Sequence, residues 1–127
     1  MTMMTPEVPE VADASGSLGL EAAACLFRGF SDASRLSILQ HLALGEHRVV
    51  ELTAHLGLAQ STVSKHLACL KDCGLVESRP VGRASVFSLT HPEAVERLFG
   101  AAEELLELTG EAVVLCPTYG SAANRRR

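Results

Sequence analysis

The sequence contains no run of 18 apolar residues, which excludes a helix long enough to cross a bilayer. Its first 17 residues contain no basic residue ahead of an apolar stretch, so they lack the pattern of a secretory signal peptide. We therefore expect a soluble, cytoplasmic protein with no membrane partner. In that reducing compartment, the four cysteines are more often metal ligands, nucleophiles or core residues than disulfides.

Features of an enzyme are also lacking. At 127 residues with 47% hydrophobic content, the chain can build one domain with a modest core, but it is short for an enzyme with a deep cleft. No set of nucleophile, base and oxyanion donors is visible, and no Cys-x₂-Cys motif is present. We expect a protein that is not an enzyme and that gains stability by dimerisation.

Basic residues are concentrated in one segment, although the net charge of the chain is −4. Residues 1–27 contain four acidic and no basic residues, and residues 91–111 contain six Glu against one Arg. Residues 61–90 instead contain four Lys or Arg against two acidic residues. Because phosphate contacts supply most of the sequence-independent affinity for nucleic acid, residues 61–90 are where such a contact is expected.

Hydrophobic periodicity and capping residues predict five helices and one hairpin. Helices are expected over residues 18–30, from a cap at Ser31 or Asp32 to Gly45, from Val49 to His55 before Gly57, over 61–73 before Gly74, and over 92–110. The period changes from helical to alternating after Gly74, which predicts a β-hairpin with a basic tip over residues 75–89. We expect a mainly α fold with a small β-hairpin.

The helices predicted over residues 49–55 and 61–73, joined by a glycine turn, are typical of a helix-turn-helix. In projection Val63, Leu67 and Leu70 of the second helix face inward, while hydroxyls and lysines surround them. Alone, such a helix would be interpreted as a solvated amphipathic helix, but the basic hairpin behind it favours a winged helix-turn-helix. The residues predicted to contact DNA are Gln60, Ser61, Thr62, Ser64, Lys65, His66, Lys71, Arg79 and Arg83.

These segments resemble the ArsR/SmtB family of bacterial transcriptional repressors over about residues 18–116. FSDASRLSILQHL is similar to the family's LADPTRLRIL helix, ELTAHLGLAQSTVSKHLACLKDCGLV to its ELA..LGLSQSTVSHHLKVLRDAGLV segment, and GRASVFSL to its wing strand. Ser34 departs from the family's usual Pro or Thr. The resemblance implies a homodimer that uses its first and last helices as the interface and binds an inverted repeat in double-stranded DNA.

Three regions are therefore predicted. Residues 1–17 have no hydrophobic period and are expected to form a disordered N-terminal tail. Residues 18–111 are expected to form the winged helix-turn-helix domain for DNA binding and dimerisation, and residues 112–127 a C-terminal tail that contains Cys116.

Two cysteines lie four residues apart near the end of the predicted recognition helix. At about 100° per residue, this spacing places Cys69 and Cys73 next to each other on one flank, near enough to bind one soft ion. Two half-buried structural thiols would show the same pattern. A disulfide within the helix is disfavoured, because this spacing puts the Cα atoms near the upper limit for bridging.

Within the family, HLACLKDCGLV closely resembles the CmtR-type subgroup of mycobacterial cadmium and lead sensors. That resemblance implies a third ligand, Cys116 in VVLCPTYG, from the tail of the other subunit. Three thiolates suit Cd²⁺, Pb²⁺ or arsenite, As(III), better than a closed four-ligand Zn²⁺ site, although Zn²⁺ stays an alternative ion.

Other sensing sites known in the family are lacking. Residues 49–52 contain no Cys-x-Cys pair, and the last helix contains no histidine. Cys25 lies in an Ala-rich helix and is interpreted as a packed core or interface thiol, with an accessory metal ligand as the alternative. The five histidines show no ligand spacing, and we interpret most of them as surface or capping residues.

The sequence thus predicts a repressor whose operator binding is relieved when cysteine thiolates bind a soft metal ion, with no organic cofactor. A repressor of the same fold that responds to thiol oxidation or persulfidation is the alternative. A metal carrier without a role in DNA binding is disfavoured by the winged helix.

Overall fold

The computed structural model describes residues 16–115, which form five α-helices and one three-stranded antiparallel sheet. The elements are α1 (Ser17–Gly29), α2 (Ala33–Ala43), β1 (His47–Arg48), α3 (Val49–Leu56), α4 (Gln60–Asp72), β2 (Val76–Val81), β3 (Ala84–Leu89) and α5 (Pro92–Leu108). This confirms the predicted mainly α fold with a β-hairpin. Most of the predicted N-terminal tail and the predicted ligand Cys116 lie outside the described residues.

Local capping residues fix the start of α2 and the end of α3. The Asp32 carboxylate accepts a hydrogen bond from the Arg35 backbone N–H at 3.0 Å, so Asp32 rather than Ser31 caps α2. Helix α3 ends at Gly57, whose φ of 69° is a left-handed conformation that glycine adopts without a steric penalty. Gly57 therefore lets the chain turn sharply from α3 into α4.

A leucine-rich core holds α4 in place. Its three inward residues, Val63, Leu67 and Leu70, are all buried, as predicted. They belong to one cluster with buried residues of α2, α3, β2, β3 and α5, among them Ile38, Leu39, Leu42, Leu52, Val76, Leu89 and Phe99. Each fully buried Leu or Val contributes about 1.5–3 kcal/mol of transfer free energy, which orients α4 by its apolar face. The polar face of α4 is thereby turned outward.

The sheet contains the predicted hairpin and one strand that was not predicted. Strands β2 and β3 pair from Val76 opposite Leu89 to Val81 opposite Ala84. Strand β1 adds to the other edge of β3, where His47 pairs with Phe87. Two residues are too few to show an alternating pattern, so β1 gives no signal in the sequence.

Helices α1 and α5 present apolar residues that this chain alone does not cover. Val95 and Phe99 of α5 are buried, and the Phe99 ring meets Phe30 edge-on with centroids 5.8 Å apart. Large apolar side chains on the same two helices are instead 57–76% exposed: Leu18, Leu20, Phe27, Leu105 and Leu108.

None of the helices in residues 16–115 is long and apolar enough to cross a membrane.

The last turn of α1 lies directly against the end of α4. A Cβ atom on Gly29 would stand 2.7 Å from Leu75 Cδ1 and 3.4 Å from Leu70 Cδ2, so a side chain at this position requires Leu75 to shift. We call this contact between α1 and the end of α4 the α1–α4 joint. It places Cys25, one turn before Gly29, beside Cys73.

Candidate thiol site and nucleic-acid interface

Most of the residues predicted to contact DNA lie at the protein surface. Exposed side chains on α4 and the hairpin include Gln60, Ser61, Ser64, Lys65, Lys71, Arg79 and Arg83. Thr62 and His66 are half-buried. In the first two turns of α4, Gln60, Ser61, Ser64 and Lys65 are exposed. Polar and basic side chains of this kind suit contact with base edges and phosphates.

The half-buried side chain of His66 contacts two residues at the start of α2. Its Nε2 lies 3.7 Å from Asp32 Oδ2, and its Nδ1 lies 3.5 Å from Arg35 Nη1. Because a guanidinium only donates, Nδ1 accepts and Nε2 carries the proton that faces the carboxylate. The pKa of Asp32 lies below its usual value, mainly because the carboxylate accepts the Arg35 N–H. The predicted DNA contact of His66 thus competes with an internal role that the sequence did not indicate.

Two basic residues that are predicted to contact DNA, one in β2 and one at the end of α4, already have partners within the chain. Arg79 Nη2 lies 2.7 Å from Glu46 Oε2, and Lys71 Nζ donates to Ser78 Oγ at 3.1 Å. Both contacts are exposed. An exposed ion pair contributes only about 0–1 kcal/mol, and a single hydrogen bond contributes about 0.5–1.5 kcal/mol. Arg79 and Lys71 can therefore exchange these partners for phosphates at little cost.

Three cysteines meet at the α1–α4 joint. Cys73 caps the C-terminal end of α4, and its Sγ lies 2.8 Å from Cys25 Sγ of α1. The Cys73 thiol also donates to the Cys25 carbonyl oxygen at 2.9 Å, and either thiol can be the donor between the two sulfurs. Cys69 lies one turn earlier on α4, and all three thiols are half-buried. The sequence identified Cys69 and Cys73 as neighbours, but it gave no signal for the contact with Cys25.

Burial is the largest cause that raises the pKa of the Cys73 thiol, to about 11. The hydrogen bond with Cys25 and the nearby Cys25 and Cys69 raise this pKa further, while Arg28 lowers it slightly. Near neutral pH Cys73 is therefore a protonated thiol that forms part of the joint. Any ligand that needs the thiolate has to displace this proton and the hydrogen bond to the Cys25 carbonyl.

The described residues supply only part of the ligand set that a soft metal ion requires. No three Cys, His, Asp or Glu side chains in residues 16–115 converge at metal-binding distance. Cys69 and Cys73 supply two adjacent thiols, and Cys25 is a third sulfur within reach of Cys73. Cys73 also borders an apolar cavity of about 410 Å³ with Phe30, Val95 and Leu98 in its walls.

Comparisons with known proteins point to one family. The pattern of the family described as "Bacterial regulatory protein, arsR family" matches residues 32–78. A crystal structure of fragment 1–100 of a possible transcriptional regulatory protein from Mycobacterium bovis is 31% identical with a TM-score of 0.66, and the match covers 72% of this chain and 97% of the fragment. The chain belongs to the arsR family of bacterial regulatory proteins.

Relatives of this ArsR-family chain include named repressors and a homodimer. A probable mercury resistance operon repressor of Streptomyces lividans is 37% identical over 76 residues, which cover 60% of this chain and 61% of that protein. The transcriptional regulator CmtR of Mycobacterium tuberculosis is 44% identical over 68 residues, which cover 54% of this chain and 58% of CmtR. The solution structure of a homodimeric winged helix-turn-helix domain from Mycobacterium bovis is 27% identical with a TM-score of 0.63, covering 84% of this chain and 91% of that domain.

These matches confirm the predicted family and the winged helix-turn-helix fold, and they make this ArsR-family chain a regulator rather than an enzyme. The matches span about 60% of the length of the two curated relatives. The nine predicted DNA contacts and the three predicted metal ligands remain predictions.

Proposed function

We propose that the protein is a homodimeric transcriptional repressor whose operator binding weakens when cysteine thiolates bind a soft metal ion. The observation that supports this most strongly is the placement of the thiols. Cys69 and Cys73 lie on the same helix that presents Ser61 and Lys65 to solvent, and Cys73 joins that helix to α1. An ion bound at these thiols acts on the recognition helix without a relay through other elements.

The ligand set we propose is Cys69 and Cys73 of one subunit with Cys116 of the tail. Three sulfur donors favour Cd²⁺ or Pb²⁺, with Zn²⁺ and arsenite as the ions to compare. The likeness to CmtR and to a mercury resistance repressor supports a thiophilic effector. Cys25 Sγ is 2.8 Å from Cys73 Sγ, so the Cys25 thiol contacts Cys73 before the ion arrives.

Loss of the Cys73 proton is the step that changes the joint. The neutral thiol donates to the Cys25 carbonyl at 2.9 Å, whereas a thiolate is an acceptor and repels that oxygen. Ligation therefore removes a direct bond between α4 and α1. An effector shifts operator affinity only by its difference in affinity for the two arrangements of the dimer, which for allosteric proteins is about 1–3 kcal/mol.

The exposed apolar residues of α1 and α5 support a dimer built on these two helices. Leu18, Leu20 and Phe27 of α1 and Leu105 and Leu108 of α5 gain a favourable burial only from a partner surface. A two-fold dimer on this face presents two copies of α4, and helix-turn-helix dimers place such helices about 34–36 Å apart, one turn of DNA. The predicted operator is accordingly an inverted repeat.

A titration of the fully reduced protein on operator DNA tests this proposal. Cd²⁺ is added while the ultraviolet thiolate-to-metal absorption and the DNA anisotropy are followed together. We expect one ion per subunit and release of DNA, both lost in Cys69→Ser, Cys73→Ser and Cys116→Ser. Cys25→Ser is the matched control: it removes a neighbouring thiol but should retain one bound ion per subunit. Tight Cd²⁺ binding that leaves the DNA complex intact would overturn the proposal.

The 2.8 Å separation of Cys25 Sγ and Cys73 Sγ favours a second candidate function, a repressor that responds to oxidants. Hydrogen peroxide would oxidise the two thiols to one disulfide, with both thiol protons and both peroxide oxygens leaving as two water molecules. The bond would link α1 covalently to α4. Mass spectrometry after peroxide treatment should then show a loss of two hydrogen atoms, and a Cys25–Cys73 peptide pair, together with altered operator affinity. Oxidation that joins other cysteines, or leaves DNA binding unchanged, would exclude this candidate.

A further inference from the structure

We propose that Gln40 and Glu103 hold the chain at Leu115 and thereby position the next residue, Cys116, for metal binding. Side chains bind both backbone groups of Leu115. The Glu103 carboxylate of α5 accepts a hydrogen bond from the Leu115 N–H, and the Gln40 amide of α2 donates to the Leu115 carbonyl oxygen at 2.9 Å. We call this arrangement the Leu115 clamp. Its role rests on the proposed function, in which Cys116 is the third ligand.

The end of α5 directs the chain towards the clamp. Gly110 has a φ of 93°, and the N–H of the next residue, Glu111, donates to the Leu106 carbonyl oxygen at 2.7 Å. These are the features of a Schellman motif, which ends a helix and turns the chain away from the helix axis. The chain after Gly110 can thus return along α5, so that Leu115 meets Glu103, which lies 12 positions earlier in the sequence.

Burial makes the clamp costly to open. Glu103 is only 9% exposed. A buried carboxylate needs hydrogen-bond donors, and release of the Leu115 N–H would remove one of them. The Leu115 side chain is itself partly buried and packs against the apolar core cluster. Polar and apolar contacts therefore hold the chain together at this point.

A fixed Leu115 restricts the space that the Cys116 thiol can reach. Consecutive Cα atoms are about 3.8 Å apart, so a residue held by α2 and α5 limits the position of the next one. Without the clamp, metal binding has to order this segment as well as join the sulfurs, and the ordering lowers the affinity. Gln40 and Glu103 are therefore positioning residues, which act on the metal through the backbone at Leu115.

Amide hydrogen exchange in the reduced, metal-free full chain tests the clamp itself. Exchange of the Leu115 amide should be about tenfold faster in Glu103→Ala than in wild type, because the hydrogen bond that protects it is lost. Gln40→Leu is the second variant if Glu103→Ala does not fold. Glu104→Ala is the matched control, since Glu104 is the exposed neighbour on α5 and should leave this exchange unchanged. Equal exchange at Leu115 in wild type and the clamp variants would overturn the proposal.

Titration with Cd²⁺ tests the effect of the clamp on the proposed ligand. Gln40→Leu should weaken Cd²⁺ binding about tenfold in the wild-type background and not at all in the Cys116→Ser background, where no third thiol is left to position.

Three outcomes would overturn this role of the clamp. Equal losses of Cd²⁺ affinity in the two backgrounds would indicate a general effect of Gln40→Leu on the fold. An unchanged affinity in Gln40→Leu, together with a loss in Cys116→Ser, would exclude the clamp and leave the proposed function standing. If Cys116→Ser binds Cd²⁺ as tightly as wild type, the proposed ligand set fails and the role of the clamp fails with it.

Discussion

The two ends of α4 differ in the residues they expose and in the contacts they make. Ser61, Ser64 and Lys65 near its start are exposed, while Cys69 and Cys73 at its end are half-buried. Cys73 makes two close contacts with Cys25 of α1. A helix of 13 residues is about 20 Å long and moves as a rigid body, so a displacement at the Cys73 end is transmitted to the end that we propose faces DNA. Under the proposed function, one helix therefore both contacts DNA and carries two of the effector's ligands.

The change with the largest expected effect is Cys73→Ser. It removes one proposed metal ligand and leaves the side chains that are predicted to contact DNA unchanged. Loss of a ligand should weaken Cd²⁺ binding by more than the 10–100-fold that loss of a supporting partner typically costs. Operator affinity without metal should change by less than about threefold, because Ser keeps a donor for the Cys25 carbonyl. Competition with a chelator and DNA anisotropy measure the two quantities, and a variant that keeps Cd²⁺-induced DNA release would contradict the comparison.

Gly29→Ala should disturb the joint itself. The new Cβ would stand 2.7 Å from Leu75 Cδ1, and overpacking of this kind typically costs about 1–3 kcal/mol of unfolding free energy. Gly100 of α5 offers a matched control, since a Cβ there meets nothing within 4 Å and Gly100→Ala should stabilise the helix by about 0.5–1 kcal/mol. Chemical denaturation measures both variants. Equal stabilities would mean that α1 does not pack closely on α4.

Lys65→Ala should affect only the DNA end. Loss of one phosphate contact weakens DNA binding about equally for all sequences, and we expect the affinity at low salt to decrease roughly tenfold. It also reduces the slope of log affinity against log salt concentration by about one. Lys71→Ala, at the other end of α4, should have a smaller effect, because Lys71 already donates to Ser78. Cd²⁺ affinity should be the same in both variants. A Lys65→Ala protein with wild-type salt dependence would place the DNA contact elsewhere.

The smallest expected effect is a pH dependence that originates at Cys73. Its pKa in the folded protein is about 11, above the usual 9.0, so the neutral thiol stabilises the fold fully below pH 9. That contribution should be lost as the pH rises from 9 to 11. Denaturation of wild type and Cys73→Ser over this range measures it, and wild type should lose more unfolding free energy than the variant. Parallel curves would show that Cys73 is not held as a thiol by the joint.

Local patterns explain why much of the fold could be predicted. Val63, Leu67 and Leu70 recur at helical spacing, Asp32 and Gly57 are capping residues, and the hairpin alternates, so each element is specified by its own residues. The predicted hairpin, the inward face of α4 and the capping role of Asp32 were confirmed. Family membership then followed from the same segments.

Contacts between distant residues could not be predicted in this way. Cys25 and Cys73 are 48 positions apart, and no periodicity indicates that their sulfurs meet. Strand β1 has two residues, and its pairing with β3 depends on the position of the hairpin. The rings of His41, His47 and His55 contact one another although they come from three elements, and no spacing in the sequence indicates these contacts. The thiol site therefore depends in part on tertiary packing, which brings Cys25 against Cys73 and which sequence periodicity does not indicate.

The measurement that tests the central claim most directly is the operator dissociation constant with and without one equivalent of Cd²⁺ under reducing conditions. It should be made on wild type and on the Cys69→Ser/Cys73→Ser double variant. We predict that Cd²⁺ weakens wild-type binding by about 5–150-fold, the usual range of allosteric coupling, and leaves the double variant unchanged. Equal responses in the two proteins, whether release or none, would contradict a link between the thiol end of α4 and its DNA end.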